Sequence, residues 1–272
     1  MNNHYENLSV DRLYEAVWGE GIHFGTYFSG SETIEEAAAM TRNCMVEAAK
    51  IDDAGLVLEV GSGHGVSARH LAQKINGRIV ATNYAPNHNE IAAFNTRRAK
   101  LEHRISHGLA DFHNLPFFDN MFDLYWCQES FVHATDKSRL MAEAFRVLAP
   151  GGVIVFSDQT TSRQACTNEE KDRIARRHGS PDLCDADDFT ELLRNAGFEI
   201  ISVQDWSAHM TGHFERLVSR IETRWDNLAA TIDASVLHAN YENWCVAADY
   251  ARNDKIGWFC FVARKPLSAS SE

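Results

Sequence analysis

The sequence predicts an α/β protein built on a seven-stranded, mostly parallel sheet with helices on its faces. Short apolar runs, typical of buried strands, alternate with amphipathic segments of helical spacing along most of the chain. A glycine-rich turn, residues 61–65, joins the first such run directly to the first such helix. With 272 residues, 44% of them apolar, the chain suits one domain with an insertion.

The predicted strands differ in how clearly they are marked. The third is a weak, short run, whereas the first and the fifth are continuous apolar stretches of the kind found inside parallel sheets. In chain order, the seven predicted strands cover residues 56–60, 78–83, 105–107, 122–127, 151–158, 198–206 and 256–265.

Helices are predicted between these strands. One covers residues 65–75, and the next begins at Pro86, which is tolerated in a first helical turn. A third carries Leu140, Ala144 and Val147 and ends before a glycine pair. These helices connect consecutive strands in the manner of a parallel sheet.

Two segments of helical spacing, residues 8–50 and 207–253, lie outside this alternation. We expect both to pack over the carboxyl ends of the strands, where open α/β sheets bind ligands. The chain is therefore divided into three parts: a helical lid at 1–50, an α/β core at 51–205 with 256–272, and a helical insertion at 206–255 that covers the substrate site.

The composition of the chain limits the kinds of molecule that the protein is expected to bind. A net charge of -12 argues against nucleic acid. The polar first ten residues lack an apolar export signal, and the longest apolar runs are too short to span a bilayer. The six cysteines include no CxxC pair and are expected to be reduced. We expect a cytoplasmic protein that acts on a small molecule, and a homo-oligomer is left open.

The turn that follows the first strand reads Glu-Val-Gly-Ser-Gly-His-Gly over residues 59–65. A dinucleotide site would need a further glycine where Val66 stands, and a phosphate loop would need a following lysine. The turn suits a ligand that approaches the backbone without a phosphate, and S-adenosylmethionine is such a ligand. The alternative is a turn that only tightens a strand-to-helix corner. The expected cofactor-binding residues here are Glu59, Gly61, Ser62 and Gly63.

Polar residues at the ends of the next two strands extend this site. Asn83, followed by Tyr84, stands where folds that bind such cofactors carry an acid that accepts hydrogen bonds from the ribose hydroxyls. The asparagine amide can accept a hydrogen bond through its oxygen and donate one through its nitrogen. The alternative is that Asn83 only shapes the turn before Pro86. Asp111 is placed to accept the adenine amino proton, with Phe112 against the ring.

Metal binding is not expected. The pairs His103/His107 and His209/His213 have helix-like spacing, but neither has a carboxylate at ligand spacing.

Longer stretches resemble the sarcosine/dimethylglycine N-methyltransferases, which are class I methyltransferases. Residues 117–158 are similar to that family's segment running from the fourth strand to a Pro-Gly-Gly turn and a Ser-Asp ending. Residues 17–27 resemble its Trp-Gly-x-x-Ile-His opening, and shorter likenesses occur at 172–174, 179–181 and 243–265. The resemblance implies the Rossmann-like class I fold, S-adenosylmethionine without a metal, and methyl transfer to the nitrogen of a small amine or amino acid.

The resemblance also implies roles for individual residues. His133 would be catalytic, orienting the substrate or acting as a base, although a histidine that caps a helix start is the alternative. Gln128, Trp18 and Tyr27 would contact the cofactor, the last two from a lid that closes over it. The candidate substrate-binding residues are His23, Glu129, Arg173 and Trp244, and Arg173 is as well explained as a surface residue. Trp225, by contrast, is expected in the core.

The chain departs from the family pattern at residues 157–165 and in the shortened glycine stretch 19–21. No residue that would hold a substrate carboxylate can be located from the motifs. Two other functions therefore remain open: O- or C-methylation of a larger secondary metabolite, and a non-catalytic binding module on the same fold.

Overall fold

The computed structural model describes residues 8–50, 54–162, 166–179 and 183–267. Its strands form one sheet in the order β3-β2-β1-β4-β5-β7-β6, in which only β7 is antiparallel to its neighbours. The predicted seven-stranded, mostly parallel sheet is confirmed. The strands are β1 Leu56–Val60, β2 Arg78–Asn83, β3 Ile105–Leu109, β4 Phe122–Gln128, β5 Leu148–Thr161, β6 Glu199–Asp205 and β7 Ile256–Arg264.

The strand order creates a crevice at one edge of the sheet. From β1 the chain proceeds outward to β2 and β3, and it then returns to place β4 on the other side of β1. Ligands bind beyond the carboxyl ends of the strands at such a switch point. The glycine turn follows β1 and residues 129–133 follow β4, so both lie at this crevice.

β5 is longer than the sequence indicated. It begins at Leu148, which pairs with Phe122, and extends to Thr161, which pairs with Ile256 of β7. The extension was missed because its buried last residues, Gln159 to Thr161, are polar and hide the apolar pattern of a strand.

The helices have clear starting signals. Capping boxes begin α2, α6 and α7, with Thr33, Thr167 and Asp185 as the N-caps. The described helices are α1 Leu8–Trp18, α2 Ile34–Ala49, α3 Val66–Leu71, α4 Pro86–Arg98, α5 Lys137–Val147, α6 Asn168–His178, α7 Ala186–Asn195, α8 Met210–Ala229 and α9 Ala234–Arg252. None of these helices is both long enough and apolar enough to cross a membrane.

One helix prediction was wrong in extent, and one predicted helical segment contains two α-helices. The helix predicted at 65–75 ends at Leu71, where the chain continues in a turn. The helical segment 207–253 is broken at Asp233, whose carboxylate accepts hydrogen bonds from the backbone of Ser235 and Val236 and starts α9.

A row of arginines on α8 holds the N-terminal segment. Arg216 donates to the Gly30 carbonyl at 2.7 Å, and Arg220 donates to the Val17 carbonyl at 3.0 Å. Arg220 also forms a bidentate ion pair with Glu35 of α2, with N–O distances of 2.6 and 2.9 Å. Residues three and four apart share one face of a helix, so this face of α8 lies along the N-terminal segment.

The core has one cluster on each face of the sheet. One contains residues of α1, α2, α3, α8 and α9, and the other contains residues of α5 and α7. The predicted core residue Trp225 is half-buried and packs against the first cluster. The six cysteines all lie in described segments, and none forms a disulfide.

We expect Gly25→Ala to destabilise the fold. A Cβ atom at Gly25 would lie 2.4 Å from the Cβ of Ala37 and within 3.2 Å of the α2 backbone, so the N-terminal segment would have to move. Such overpacking costs about 1–3 kcal/mol of unfolding free energy. Denaturant unfolding measures it. Gly108→Ala in β3 is the control, because its Cβ would meet open space; equal unfolding free energies for the two variants would contradict the prediction.

Candidate functional site

The glycine turn after β1 needs glycine for two physical reasons. Gly61, Gly63 and Gly65 have φ angles of +63°, +51° and +75°, which side-chain-bearing residues rarely adopt. A Cβ on Gly61 would also lie 2.4 Å from Ser130 Oγ, whereas a Cβ on Gly63 would meet nothing within 4 Å. The turn is therefore packed closely against the segment after β4 at Gly61, and it leaves open space beside Gly63.

Three buried polar atoms beside this turn have no hydrogen-bond partner among the described residues. They are Glu59 Oε2, Gln128 Nε2 and Arg42 Nε. Their residues are 3%, 3% and 7% exposed. An unpaired buried polar atom is costly, so such a group indicates a missing partner. One acceptor and two donors in a single crevice match the ammonium and carboxylate groups of an α-amino acid.

Arg42 was not found from the sequence. It lies on α2, outside every motif, and it becomes part of the site only because α2 packs against the sheet. The electrostatic attraction of Glu129 and Glu59 acts on its buried guanidinium. Burial raises the pKa of Glu59 to about 8 despite the nearby arginines Arg69 and Arg42.

Asn83 shapes the glycine turn. Its Oδ1 accepts the backbone N–H of Gly63 at 2.8 Å, and its Nδ2 donates to Ser62 Oγ and the Gly63 carbonyl, both at 3.0 Å. A carboxylate could not make the last two bonds because it has no donor. This is a physical reason for asparagine here, and the contact with a ribose stays a prediction.

The other predicted cofactor residues on the core border the same crevice. Tyr84 follows β2 and is 67% exposed. The Asp111 carboxylate accepts from the backbone N–H of His113 at 2.9 Å and is paired with its ring, while Phe112 packs edge-on against Phe131. These positions agree with a solvent-facing adenine site, and their contacts stay predictions.

The N-terminal segment covers the turn and is tied to it. Glu20 pairs with Arg69 of α3 at 3.0 Å, and Arg69 also donates to the His64 carbonyl inside the turn. Tyr27 faces α8 instead, with its hydroxyl 2.8 Å from His213 Nδ1 and its backbone N–H donating to His209 Nδ1. Tyr27 thus fastens the N-terminal segment to α8.

Trp18 and Trp244 belong to one aromatic cluster, defined by Tyr14, Trp18, Phe24, His213, Phe214, Trp244 and Trp258. The sequence assigned Trp18 to the cofactor and Trp244 to the substrate, whereas their ring centroids lie 6.0 Å apart. Two buried N–H groups in the cluster, Trp18 Nε1 and His213 Nε2, have no acceptor among the described residues. The cluster is therefore polar as well as aromatic.

Glu129 and His23 lie together at one end of the aromatic cluster. Glu129 Oε2 is 2.9 Å from His23 Nδ1, and its Oε1 accepts from Trp258 Nε1 at 3.2 Å and from the Ser157 hydroxyl. Burial raises the pKa of Glu129 to about 8 and lowers that of His23 to about 3. The two predicted substrate-binding residues are thus brought into direct contact.

His133 lies in a single 3₁₀ turn after β4. Its Nδ1 is 2.8 Å from the His178 carbonyl oxygen. A carbonyl only accepts, so Nδ1 carries the hydrogen and Nε2 holds the lone pair of a neutral ring. This tautomer is compatible with a substrate-orienting or basic role, which stays a prediction.

Arg177 marks the other end of the aromatic cluster. Its guanidinium lies 5.6 Å from the centroid of the Phe214 ring. It makes no hydrogen bond or ion pair within the described ranges, and burial lowers its pKa. It lines a small cleft together with Gln159, His178 and the predicted substrate residue Arg173, which is exposed. The sequence pointed to this helix, but Arg177 lies one turn further along it.

No group of three or more His, Cys, Asp or Glu side chains is arranged to hold a metal ion in the part of the chain that the structure describes.

Comparisons with known proteins agree with this geometry. Residues 58–156 match a family described as "Methyltransferase domain". The chain is 31% identical over 270 residues to a glycine/sarcosine/dimethylglycine N-methyltransferase of Actinopolyspora halophila, covering 96% of this chain but only 46% of that protein. It is 30% identical over 240 residues to a sarcosine/dimethylglycine N-methyltransferase of Halorhodospira halochloris, covering 86% and 84% of the two chains.

Among solved structures, a candidate sarcosine dimethylglycine methyltransferase from Galdieria sulphuraria superposes with a TM-score of 0.89 at 23% identity, covering 98% of this chain and all of that one. At this identity the likeness concerns the fold, and it confirms the predicted class I architecture.

We expect Glu59→Gln to gain stability relative to the wild type as pH rises. The folded state raises the Glu59 pKa from 4.5 to about 8, so the folded protein holds this proton more tightly than the unfolded chain. Wild-type stability from this group is therefore lost between about pH 4.5 and pH 8, and glutamine removes that loss. Melting temperatures of both proteins from pH 5 to pH 9 measure it. The exposed Glu199→Gln controls for the loss of one charge, and a Glu59→Gln difference that is the same at both ends would contradict the prediction.

Proposed function

The chain belongs to the sarcosine/dimethylglycine N-methyltransferase family, and from that premise we propose that it methylates the nitrogen of a small amino acid, sarcosine or dimethylglycine, with S-adenosylmethionine as the donor. One observation carries the choice of acceptor: the Glu129 carboxylate contacts Trp258 of the aromatic cluster, and the Arg177 guanidinium, which has no hydrogen-bond or ion-pair partner among the described residues, lies against Phe214 of the same cluster. A small zwitterion has the complementary pair of charges.

The residues at the glycine turn fit the cofactor. Glu59 would accept from its ammonium group, and Arg42 and Gln128 would donate to its carboxylate, which satisfies the three unpaired atoms. The open backbone at Gly63 allows close approach of the nucleoside. When bound, the cofactor supplies a methyl group on a positively charged sulfur. Gln128 therefore keeps the role that the sequence predicted, and Arg42 is added to it.

The aromatic cluster suits an acceptor that becomes a tertiary or quaternary ammonium. Ring faces attract such cations, by about 0.5–2 kcal/mol for each contact. The N-terminal segment and α8 bury the cluster, with Trp18 at 5% and Trp244 at 1% exposure. A buried site holds its charges and dipoles in place before the reaction, which favours displacement at the methyl carbon.

A screen of candidate methyl acceptors tests the proposed function directly. Purified protein is incubated with S-adenosylmethionine and sarcosine, dimethylglycine, simple phenols or an apolar polyketide acceptor, and the products are identified by mass spectrometry. We expect methylated amines from the first two. Methylation of only a phenol or a carbon centre would favour the O- or C-methyltransferase alternative, and cofactor binding without any product would favour the binding module.

We expect Arg42→Met to weaken cofactor binding. The substitution removes a charged hydrogen-bond donor whose Nε has no partner among the described residues, and such a bond contributes roughly 1.5–3 kcal/mol, or about 10–100-fold in Kd. Titration calorimetry with S-adenosylhomocysteine measures the change. Arg78→Met, at the exposed start of β2, is the matched control; an equal Kd for both variants would remove Arg42 from the site.

We expect Arg177→Met to reduce recognition of the acceptor carboxylate. The value of kcat/KM for sarcosine should fall about 10–100-fold, while activity on methylamine, which has no carboxylate, should change little. The ratio of kcat/KM for the two amines is the measurement. Arg173→Met, on the same helix, is the comparison. If Arg173→Met causes the larger loss, the assignment made from the sequence is right and Arg177 is not the carboxylate ligand.

A further inference from the structure

Glu129 is held in an unusual backbone conformation at the centre of the crevice. Its φ angle is +50°, in the left-handed region that a non-glycine residue seldom enters. Such strain costs about 1–3 kcal/mol and persists where the surrounding structure enforces it, often at functional sites. Here the Glu129 N–H donates to the Ser157 carbonyl at 2.8 Å, directly after β4 pairs with β5. The conformation turns the carboxylate away from the path of the strand.

The Glu129 carboxylate is nearly, but not completely, satisfied by the protein. Trp258 Nε1 and the Ser157 hydroxyl donate to Oε1, and His23 Nδ1 pairs with Oε2. A carboxylate offers about four lone-pair positions, so one remains on Oε2. The side chain is only 8% exposed. A ligand in the crevice is therefore the natural partner of that last position.

The proposed reaction leaves a chemical task unassigned. An amino acid in neutral solution carries an ammonium group, whose nitrogen has no lone pair with which to attack a methyl carbon. A group in the site must remove one proton first. His133 was the candidate from the sequence; its Nδ1 is engaged with the His178 carbonyl, so only its Nε2 could accept this proton, whereas Glu129 contacts the aromatic cluster directly through Trp258.

We propose that Glu129 is the general base of the transfer, a catalytic residue that accepts the ammonium proton of the acceptor on Oε2. This inference rests on the proposed function. One proton moves from the substrate nitrogen to Oε2, leaving a neutral amine and a neutral carboxylic acid. The amine lone pair then forms the new N–C bond while the C–S bond breaks, and that electron pair stays on sulfur, which becomes neutral.

The surroundings of Glu129 make it a weak acid suited to this task. Burial raises its pKa to about 8, while the hydrogen bonds from Ser157 and Trp258 and the charge of Arg42 act in the opposite direction. A base works best when its pKa is near the working pH. The titratable or charged groups of the packed elements that interact with it are His23 in the N-terminal segment, Arg42 on α2, Cys127 on β4, Asp158 on β5 and Cys260 on β7.

The pH dependence of sarcosine methylation tests the proposal. In the wild type, kcat/KM should rise through pH 8 as Glu129 ionises and should then level off, because amine that loses its proton in solution above about pH 10 can still attack the methyl carbon. Glu129→Gln should lower kcat/KM at pH 8 by at least about 100-fold. Its remaining activity should rise steadily to about pH 10, since only amine deprotonated in solution can then react. S-adenosylhomocysteine affinity should change by less than about threefold.

Ser157→Ala provides an independent test if Glu129→Gln folds poorly. It removes a donor that lowers the Glu129 pKa, so the rising limb of the wild-type profile should move to higher pH while the plateau persists. The proposal would be overturned if Glu129→Gln and Ser157→Ala both kept the wild-type dependence of kcat/KM on pH. It would also be overturned if the rising limb were lost in His133→Gln and in neither of those variants. A wild type that binds the cofactor but methylates no amine would overturn the proposed function, and this inference with it.

Discussion

The contact between two tight turns is the constraint on which the rest of the structure depends. Gly61 after β1 lies so close to Ser130 after β4 that no side chain fits between them. The parallel pairing of β1 with β4 brings both turns to the same edge of the sheet. Because the turns touch, Glu59 before the first turn and Glu129 within the second share one crevice, and the cofactor and acceptor sites that we propose are adjacent.

Burial by the N-terminal segment gives this crevice its electrostatics. Glu59 and Glu129 both have pKa values raised to about 8 by desolvation, although Arg42 lies near both. A low local dielectric strengthens every interaction between charges that remain in the site. The ion pair between Arg220 of α8 and Glu35 of α2 fastens the N-terminal segment. This ion pair therefore supports the electrostatics of the crevice as well as the fold.

The fold was predictable because its signals are local. Apolar periodicity located all seven strands, and the glycine spacing indicated the cofactor turn before any resemblance was considered. Arg42 and Arg177 could not be predicted in the same way, because nothing in their neighbouring residues distinguishes them from surface arginines. Their importance arises when α2 and α6 pack in the folded chain, so that Arg42 is buried near Glu59 and Glu129 and Arg177 lies against the Phe214 ring. The polar end of β5 shows the same limit, since burial there does not follow residue type.

Two buried histidines, His23 in the N-terminal segment and His213 on α8, help to explain why the groups that respond to pH in the crevice are carboxylates. Burial lowers the pKa values of His23 and His213 to about 3, so both rings stay neutral throughout the range in which an enzyme of this kind works. Neutral His213 Nδ1 can accept from the Gly25 N–H and keep the segment in place. Protonation would remove that acceptor beside Arg216 and Arg220, which already disfavour a third positive charge. Because these two rings stay neutral, the groups of the crevice that ionise near neutral pH are carboxylates, Glu129 and Glu59 among them.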